Sequence, residues 1–347
     1  MTIDLSSITF TNGADIVPVS GWDAIVNTGI ANTLDGNDTI TGSGSYDFFN
    51  SSPANGYGIY NTGTLNTAEG NDIITGNGIQ VGIDNTGTFN TANGNDVITG
   101  TGGKYEGIII ADGSTLDTGN GHDRISGDGR TGIYNGSITF NTGDGNDTID
   151  ATGYYSGIYN KGLINTGNGK DTIIANATYF GYGLSNSSTI DTGDGEDIIT
   201  GMGGIANDGT IDTGDGDDII TGRSGSSYDG DDLSGIDNKS TIHTGNGNDS
   251  IIAEGLLIGT AGTINTGDGK DIITSSKGIG NGGTINTGNG ADFILANGGF
   301  KGMGSVFLGN GKDYLKGFGT GNFNGRNNED TLELPQEVIP LEYRGQR

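Results

Sequence analysis

The chain of 347 residues has no cysteine, 4 prolines, 1 tryptophan and 2 histidines. Without cysteine there are no disulfides and no thiolate metal sites. His122 and His243 alone leave little from which to build a zinc or iron centre. Cations are scarce as well, with 15 Lys and Arg against 43 Asp and Glu and a formal net charge of −28. That balance argues against nucleic acid, whose phosphates call for Lys and Arg, and against adsorption to anionic membranes. Long apolar runs are missing, and no stretch approaches the roughly 20 residues of a membrane-crossing helix. The first residues, Met1-Thr2-Ile3-Asp4-Leu5-Ser6-Ser7, lack the basic and apolar regions of a Sec signal peptide, so any export is expected to use another route.

Glycine is abundant, with 71 residues and no strict three-residue period, which excludes collagen. Only 31% of residues are hydrophobic, too few for a broad globular core. A thin solenoid core, in which each coil buries a few side chains against its neighbours, needs no more.

A motif close to Thr-Gly-Asx-Gly-x-Asp-x-Ile recurs twelve times, and its last Asp is constant: Asp38, Asp72, Asp96, Asp123, Asp147, Asp171, Asp197, Asp218, Asp249, Asp271, Asp292 and Asp313. Successive ones stand 21 to 34 positions apart, as expected for one coil per motif with insertions at one corner. The shortest units hold three β-like pieces, as in Gly278-Ile279-Gly280-Asn281, Thr284-Ile285-Asn286-Thr287 and Asp292-Phe293-Ile294. Each piece supplies about one inward apolar residue at the strand period of two. The expected columns include Ile59, Ile83 and Ile133; Leu65, Phe89 and Leu116; and Ile40, Ile74 and Ile98.

The reading is therefore all-β: a right-handed parallel β-helix of about twelve coils. Residues 1–31 are expected to be an N-terminal cap, 32–317 the solenoid, and 318–347 a C-terminal cap. Asn327-Asn328-Glu329-Asp330-Thr331-Leu332 reads as a decayed further unit. Asn61, Asn85, Asn135, Asn160, Asn186, Asn207, Asn238 and Asn281 read as an internal amide ladder.

Stacked coils bring like carboxylates together, and two charges about 4.8 Å apart repel by roughly 1 kcal/mol in water and more at lower dielectric. A divalent cation between them reverses the sign. Calcium accepts carboxylates and carbonyls alike, and glycine permits the backbone that turns carbonyls toward one point. The competing reading is an ordinary Asx-Gly turn. Three residues before the motif Asp, Asn and Asp interchange freely, as turn chemistry predicts. At the motif position Asn never appears, a run on the order of one in several thousand if the two were equivalent there.

The motif resembles the haemolysin-type, or RTX, nonapeptide Gly-Gly-x-Gly-x-Asp-x-U-x. Thr166-Gly167-Asn168-Gly169-Lys170-Asp171-Thr172-Ile173 carries the resemblance well, and similar stretches cover roughly residues 32–317. The resemblance implies Ca²⁺ clasped by the twelve Asp residues and by main-chain oxygens near Gly145, Gly169, Gly195, Gly216, Gly247, Gly269, Gly290 and Gly311. It also implies leaderless type I secretion with folding outside the cell, the export signal lying in residues 316–347. This chain departs in having one motif per longer coil, so a single row of ions is expected. The second Gly is replaced by Leu34, Ala68 and Ala92 in the first three units.

The leading expectation for function is a secreted or cell-surface calcium-binding protein doing structural or adhesive work, its partner a glycan or another surface protein. The second is ice binding through outward Thr-x-Asx columns such as Thr64/Asn66, Thr88/Asn90, Thr139/Asn141, Thr263/Asn265 and Thr284/Asn286. Asp117, Asp191, Asp212 and His243 interrupt these with charge, and Leu163 breaks the Thr column. The third is a polysaccharide-acting β-helix enzyme, for which the insert Asp229-Gly230-Asp231-Asp232 is the one unusual acid cluster. A non-enzyme is expected. The loop residue just before the motif Asp varies and reads as plain solvent exposure.

Overall fold

The computed structural model describes residues 2–45, 56–225, 233–255, 257–259, 262–325 and 330–333. The chain is all-β, about twelve coils of parallel β-solenoid, and its contacts divide it into two units, Met1–Tyr179 and Phe180–Arg347. The acid cluster at Asp229 to Asp232 and residues 334–347 of the expected export segment lie outside the described residues.

One coil of the N-terminal unit shows how sequence becomes structure. Val97–Gly102 runs along one side, Ile108–Ile110 and Thr115–Asp117 follow, and the acid turn leads into the next coil at Arg124. Each strand pairs in parallel with its counterpart one coil away. Ile98 faces Ile125, Ile108 faces Ile133, and Leu116 faces Phe140. The C-terminal unit repeats the scheme, with Ile199 on Ile220, Ile205 on Ile236, and Ile211 on Ile242.

The three expected apolar columns form the core in both units. Ile74, Ile125, Phe140, Ile205 and Ile242 are all essentially inaccessible to solvent. Each such burial stabilises by roughly 1.5–3 kcal/mol. β-Branched side chains suit the pleated wall because their restricted rotamers lose little there.

The amide ladder is present. Asn27 Nδ2 donates to Asn61 Oδ1 at 2.8 Å, and Asn61 to Asn85 at 2.7 Å. In the C-terminal unit Asn186 donates to Asn207 and Asn207 to Asn238, each at 2.8 Å. The same amides also donate to strand carbonyls, such as Thr64 O and Thr210 O.

The ends depart from a simple cap. Ile16–Gly21 pairs with Thr39–Gly44, and Ile25–Asn27 pairs with Ile59–Asn61, so strands in solenoid register precede the first recognised motif. Thr331–Glu333 pairs with Tyr314–Lys316, as the decayed unit at Asp330 led one to expect.

Candidate metal centre and the outward faces

The motif Asp residues are buried throughout, at 0–2% exposure, although they sit in a polar turn. The turn around Asp123 shows why. Gly119 N–H donates to Asp117 Oδ1, Asn120 N–H to Asn93 Oδ1, and His122 N–H to Asn95 Oδ1, at 2.8–3.2 Å. Gly121 N–H donates to the Asp144 carbonyl. Asp123 N–H donates to Asp147 Oδ1 at 2.8 Å, and Asp96 N–H donates to Asp123 Oδ1 at 2.7 Å. Every backbone N–H from Gly119 to Asp123 is used, and the surplus is oxygen. A site rich in unused oxygen suits a hard cation.

The surplus is concrete. Within each unit, one oxygen of the motif carboxylate accepts the N–H of the motif Asp in the preceding coil, from Asp38 on Asp72 to Asp147 on Asp171 and from Asp197 on Asp218 to Asp292 on Asp313. The other oxygen, Oδ2, is buried without a hydrogen-bond partner in Asp38, Asp72, Asp96, Asp123, Asp147, Asp292 and Asp313. In three turns it is met instead by a buried Thr hydroxyl: Thr213 on Asp218, Thr244 on Asp249 and Thr266 on Asp271, each at 2.6 Å. Buried unpartnered carboxylate oxygen is costly unless something charged completes it.

Burial pushes ten of the motif carboxyls up. Desolvation lifts Asp96, Asp123, Asp171 and Asp218 to about 7, against the opposing backbone N–H and neighbouring Thr hydroxyl. Asp72, Asp147, Asp249, Asp271, Asp292 and Asp313 rise to about 6 for the same leading reason. Repulsion from stacked neighbours adds to this, as from Asp147 on Asp123. The donor set thus fits a cation that replaces lost water around the carboxylates. Among the described residues no three acidic, His or Cys side chains converge, so each coil would offer one carboxylate and its loop carbonyls.

The glycines of the turn are fixed by stacking. A Cβ on Gly145 would lie 1.5 Å from the Gly121 carbonyl oxygen, and one on Gly290 would lie 1.3 Å from that of Gly269. The carbonyls of Gly145, Gly195, Gly247 and Gly269 stand in the same way against the Gly of the following coil. The preceding glycine of the motif holds positive φ, for example +78° at Gly167. Where the sequence replaces it, Leu34, Ala68 and Ala92 still adopt φ of 68°, 59° and 60°. Their Asp38, Asp72 and Asp96 nevertheless keep the same buried place and backbone contacts.

Two features escaped the sequence reading. Asp15 occupies the motif position of the N-terminal coil: its N–H donates to Asp38 Oδ1 at 2.8 Å, and its carbonyl accepts from Thr39. The signal was Asn12-Gly13-Ala14-Asp15-Ile16, a motif one residue short. The variable residue before the motif Asp is exposed but not idle, which corrects the expectation of plain exposure. Asn37 Oδ1 accepts the Asn71 N–H, Asn71 the Asn95 N–H, and His122 Nδ1 the Asn146 N–H, at 2.7–2.9 Å. These side chains tie turn to turn from outside, as the motif Asp does from inside.

The Thr-x-Asx pieces form a sheet wall of short strands in strict register. In the N-terminal unit Thr64, Thr88, Thr115 and Thr139 align, as do Asn66, Asn90, Asp117 and Asn141. In the C-terminal unit Thr189, Thr210, Thr241, Thr263 and Thr284 align, beside Asp191, Asp212, His243, Asn265 and Asn286. The Asx side chains are pinned by accepting an N–H two residues on, as Asn90 does from Ala92 at 2.8 Å and Asp191 from Gly193 at 3.1 Å. Neighbours also link, Asn141 donating to Asp117 and Asn286 to Asn265. Toward the chain's end a trough of about 710 Å³ follows this wall, lined by Thr263, Asn265, Thr284, Asn286 and Phe307 among others. The outward side of the longer strands is less uniform: an Arg124–Asp150 ion pair at 2.7 Å crosses it, and Ile73 and Ile219 are exposed there.

No family model matches this chain, and no curated protein matches it. Among solved structures it is similar to a hyperactive, Ca²⁺-dependent, β-helical antifreeze protein from an Antarctic bacterium. The match has a TM-score of 0.54 and 18% sequence identity, and covers 99% of this chain and 95% of that one. At that identity it bears on fold alone. Among the described residues no helix is long and apolar enough to cross a membrane.

Proposed function

We propose that this chain is an extracellular ice-binding β-solenoid whose folded state is held by calcium. The observation that carries the reading is the Thr-x-Asx wall. It presents hydroxyl, methyl and amide groups, with carboxylates at Asp117, Asp191 and Asp212 and an imidazole at His243 among them, at intervals of about 4.8 Å along the stack and about 6.6 Å across it. Rigid, evenly spaced groups of this kind can hold surface water in a fixed lattice at small entropic cost, because the side chains are ordered before ice is met. The Asx turns and cross-coil amide contacts supply that rigidity. The fold neighbour's description as an antifreeze protein favours this reading over the adhesive one.

Calcium has the supporting role. The buried Oδ2 atoms and the raised carboxyls are the features it would answer. It would be held by the motif Asp residues and the loop oxygens of the Gly-x-Gly turns, the RTX-like arrangement, and would supply countercharge that water cannot. Folding coupled to calcium suits a protein that meets the ion outside the cell, and leaderless export remains part of the same proposal. The repeated, equivalent acids give no distinct acid–base pair, so we do not assign catalysis.

The test is thermal hysteresis and ice shaping by the calcium-loaded protein, beside Thr88→Tyr and Thr115→Tyr. Both positions are only half-buried, so circular dichroism should be unchanged while ice activity falls sharply. Absence of hysteresis in the well-folded parent, or full activity in the Tyr variants, would remove the ice reading and leave a structural solenoid.

A further inference from the structure

The corner insertions of the N-terminal unit gather side chains that the ice-binding wall and the acid turns do not use. They are not loose loops. Tyr105 N–H donates to the Gln80 carbonyl, Arg130 N–H to the Tyr105 carbonyl, and Tyr179 N–H to the Tyr154 carbonyl, so the insertions stack coil on coil. Tyr154 and Tyr155 lie inside a continuous strand, Thr148–Asn160, where the extra residues stay within the pairing.

The rings are organised. Tyr154 stacks on Tyr179 with centroids 4.6 Å apart, and meets Tyr155 edge-on at 4.8 Å. Arg130 lies over the Tyr155 ring at 4.9 Å, and Lys104 over Tyr105 at 5.0 Å. All three rings of the cluster are exposed, at 43%, 42% and 52% for Tyr154, Tyr155 and Tyr179. Lys104, Asp128, Arg130, Tyr154 and Tyr155 line a cleft of about 440 Å³ with Gly102, Gly103 and Gly129 between them. That volume falls within the roughly 300–1,000 Å³ usual for small-ligand sites.

Two cations in one cleft are notable in a chain with 15 basic residues and a net charge of −28. Arg130 makes no carboxylate pair among the described residues, although Asp128 lines the same cleft. A ring face satisfies the charge of a guanidinium but not its in-plane donors. Those donors suit a carboxylate, the tyrosine faces suit the C–H side of a sugar ring, and Asp128 suits its hydroxyls. A neutral sugar would leave the Arg130 donors without purpose, and a simple anion would leave the rings without purpose.

We infer that this cleft binds an acidic saccharide, a uronate-bearing glycan. The site is independent of the ice-binding reading, since it stands on a corner away from the Thr-x-Asx wall. Its failure would leave that reading intact.

The experiment is calorimetric titration of the calcium-loaded full chain with a glucuronate-containing tetrasaccharide of hyaluronan, and with cellotetraose as the neutral counterpart. The acidic sugar should bind at least about tenfold more tightly. Arg130→Gln should erase that preference while leaving circular dichroism unchanged, because the side chain is exposed. Tyr154→Ala with Tyr155→Ala should weaken both sugars. No heat with the acidic sugar, equal affinity for the neutral one, or a preference that survives Arg130→Gln in folded protein would overturn the assignment.

Discussion

At the scale of single residues, the decisive distinction is between a turn former and a charge. Asn could accept the backbone N–H that Asp123 accepts from Asp96, so Asp123→Asn should preserve the turn. In metal-free protein the substitution removes a buried charge and should leave melting unchanged or raised. In calcium it should lower melting relative to the parent, because one ligand is lost. Equal behaviour in both conditions would return Asp123 to the role of an ordinary turn residue. A second residue-scale prediction concerns the early turns. Ala68 and Ala92 sit at φ of 59° and 60°, where a side chain costs roughly 1–2 kcal/mol. Ala68→Gly and Ala92→Gly should each raise unfolding free energy by about 1 kcal/mol, the loss of backbone freedom offsetting part of the gain. A urea denaturation series would show it, and destabilisation by either change would mean that the Ala methyl makes a contact worth more than the strain.

At the scale of the coil, stacking dictates which glycines are obligatory. Gly145→Ala would press a methyl into the Gly121 carbonyl and should cost roughly 3 kcal/mol or more. Gly113 has φ of +74° and open space around it, so Gly113→Ala should cost only the conformational strain of about 1 kcal/mol. Comparable losses at both sites would show that backbone conformation, not close stacking, sets the requirement. This is also the scale at which the sequence was most readable. A period of two around Ile59, Leu65 and Ile74 is enough to place inward columns, because one slip would turn Ile out and Thr in. The amide ladder was legible for the same reason, at Asn61 and Asn85. Asn27 was not, since its coil lacks the full motif from which the register was counted. Nor was the outer tie at Asn37, Asn71 and Asn95 legible. A position that also holds Lys170, Glu196 and Ala291 shows no constraint in a single sequence, even though its amide members accept hydrogen bonds.

At the scale of the molecule, the problem is accumulated buried charge. Asp15 and Asp330 each accept or donate within the carboxylate columns of their own units, so the columns reach further than the twelve recognised motifs. The acidic turn was legible from the constancy of its Asp; the burial of that Asp was not, because a polar loop reads as exposed. Burial has a pH signature. Ten of the motif carboxyls, Asp96, Asp123 and Asp72 among them, rise from 3.8 to about 6 or about 7 on folding, so the folded metal-free chain holds protons that the unfolded chain releases. Its stability is therefore greatest below about pH 4 and falls as pH rises toward about 7. Calcium competes for the same oxygens, so its stabilising effect should grow over that upper range. Melting of metal-stripped protein at about pH 5 and about pH 8 checks the sign, and a metal-free chain that is sturdier at the higher pH would contradict the burial argument.

The most direct measurement is a calcium titration of metal-stripped protein near neutral pH, followed by far-UV circular dichroism and thermal melting. The account predicts that β-structure sharpens and melting rises steeply as calcium is added, that EGTA reverses both, and that magnesium does not substitute. A metal-free chain with the same spectrum and the same melting point as the calcium-loaded one would show that these columns of carboxylates hold together without the ion.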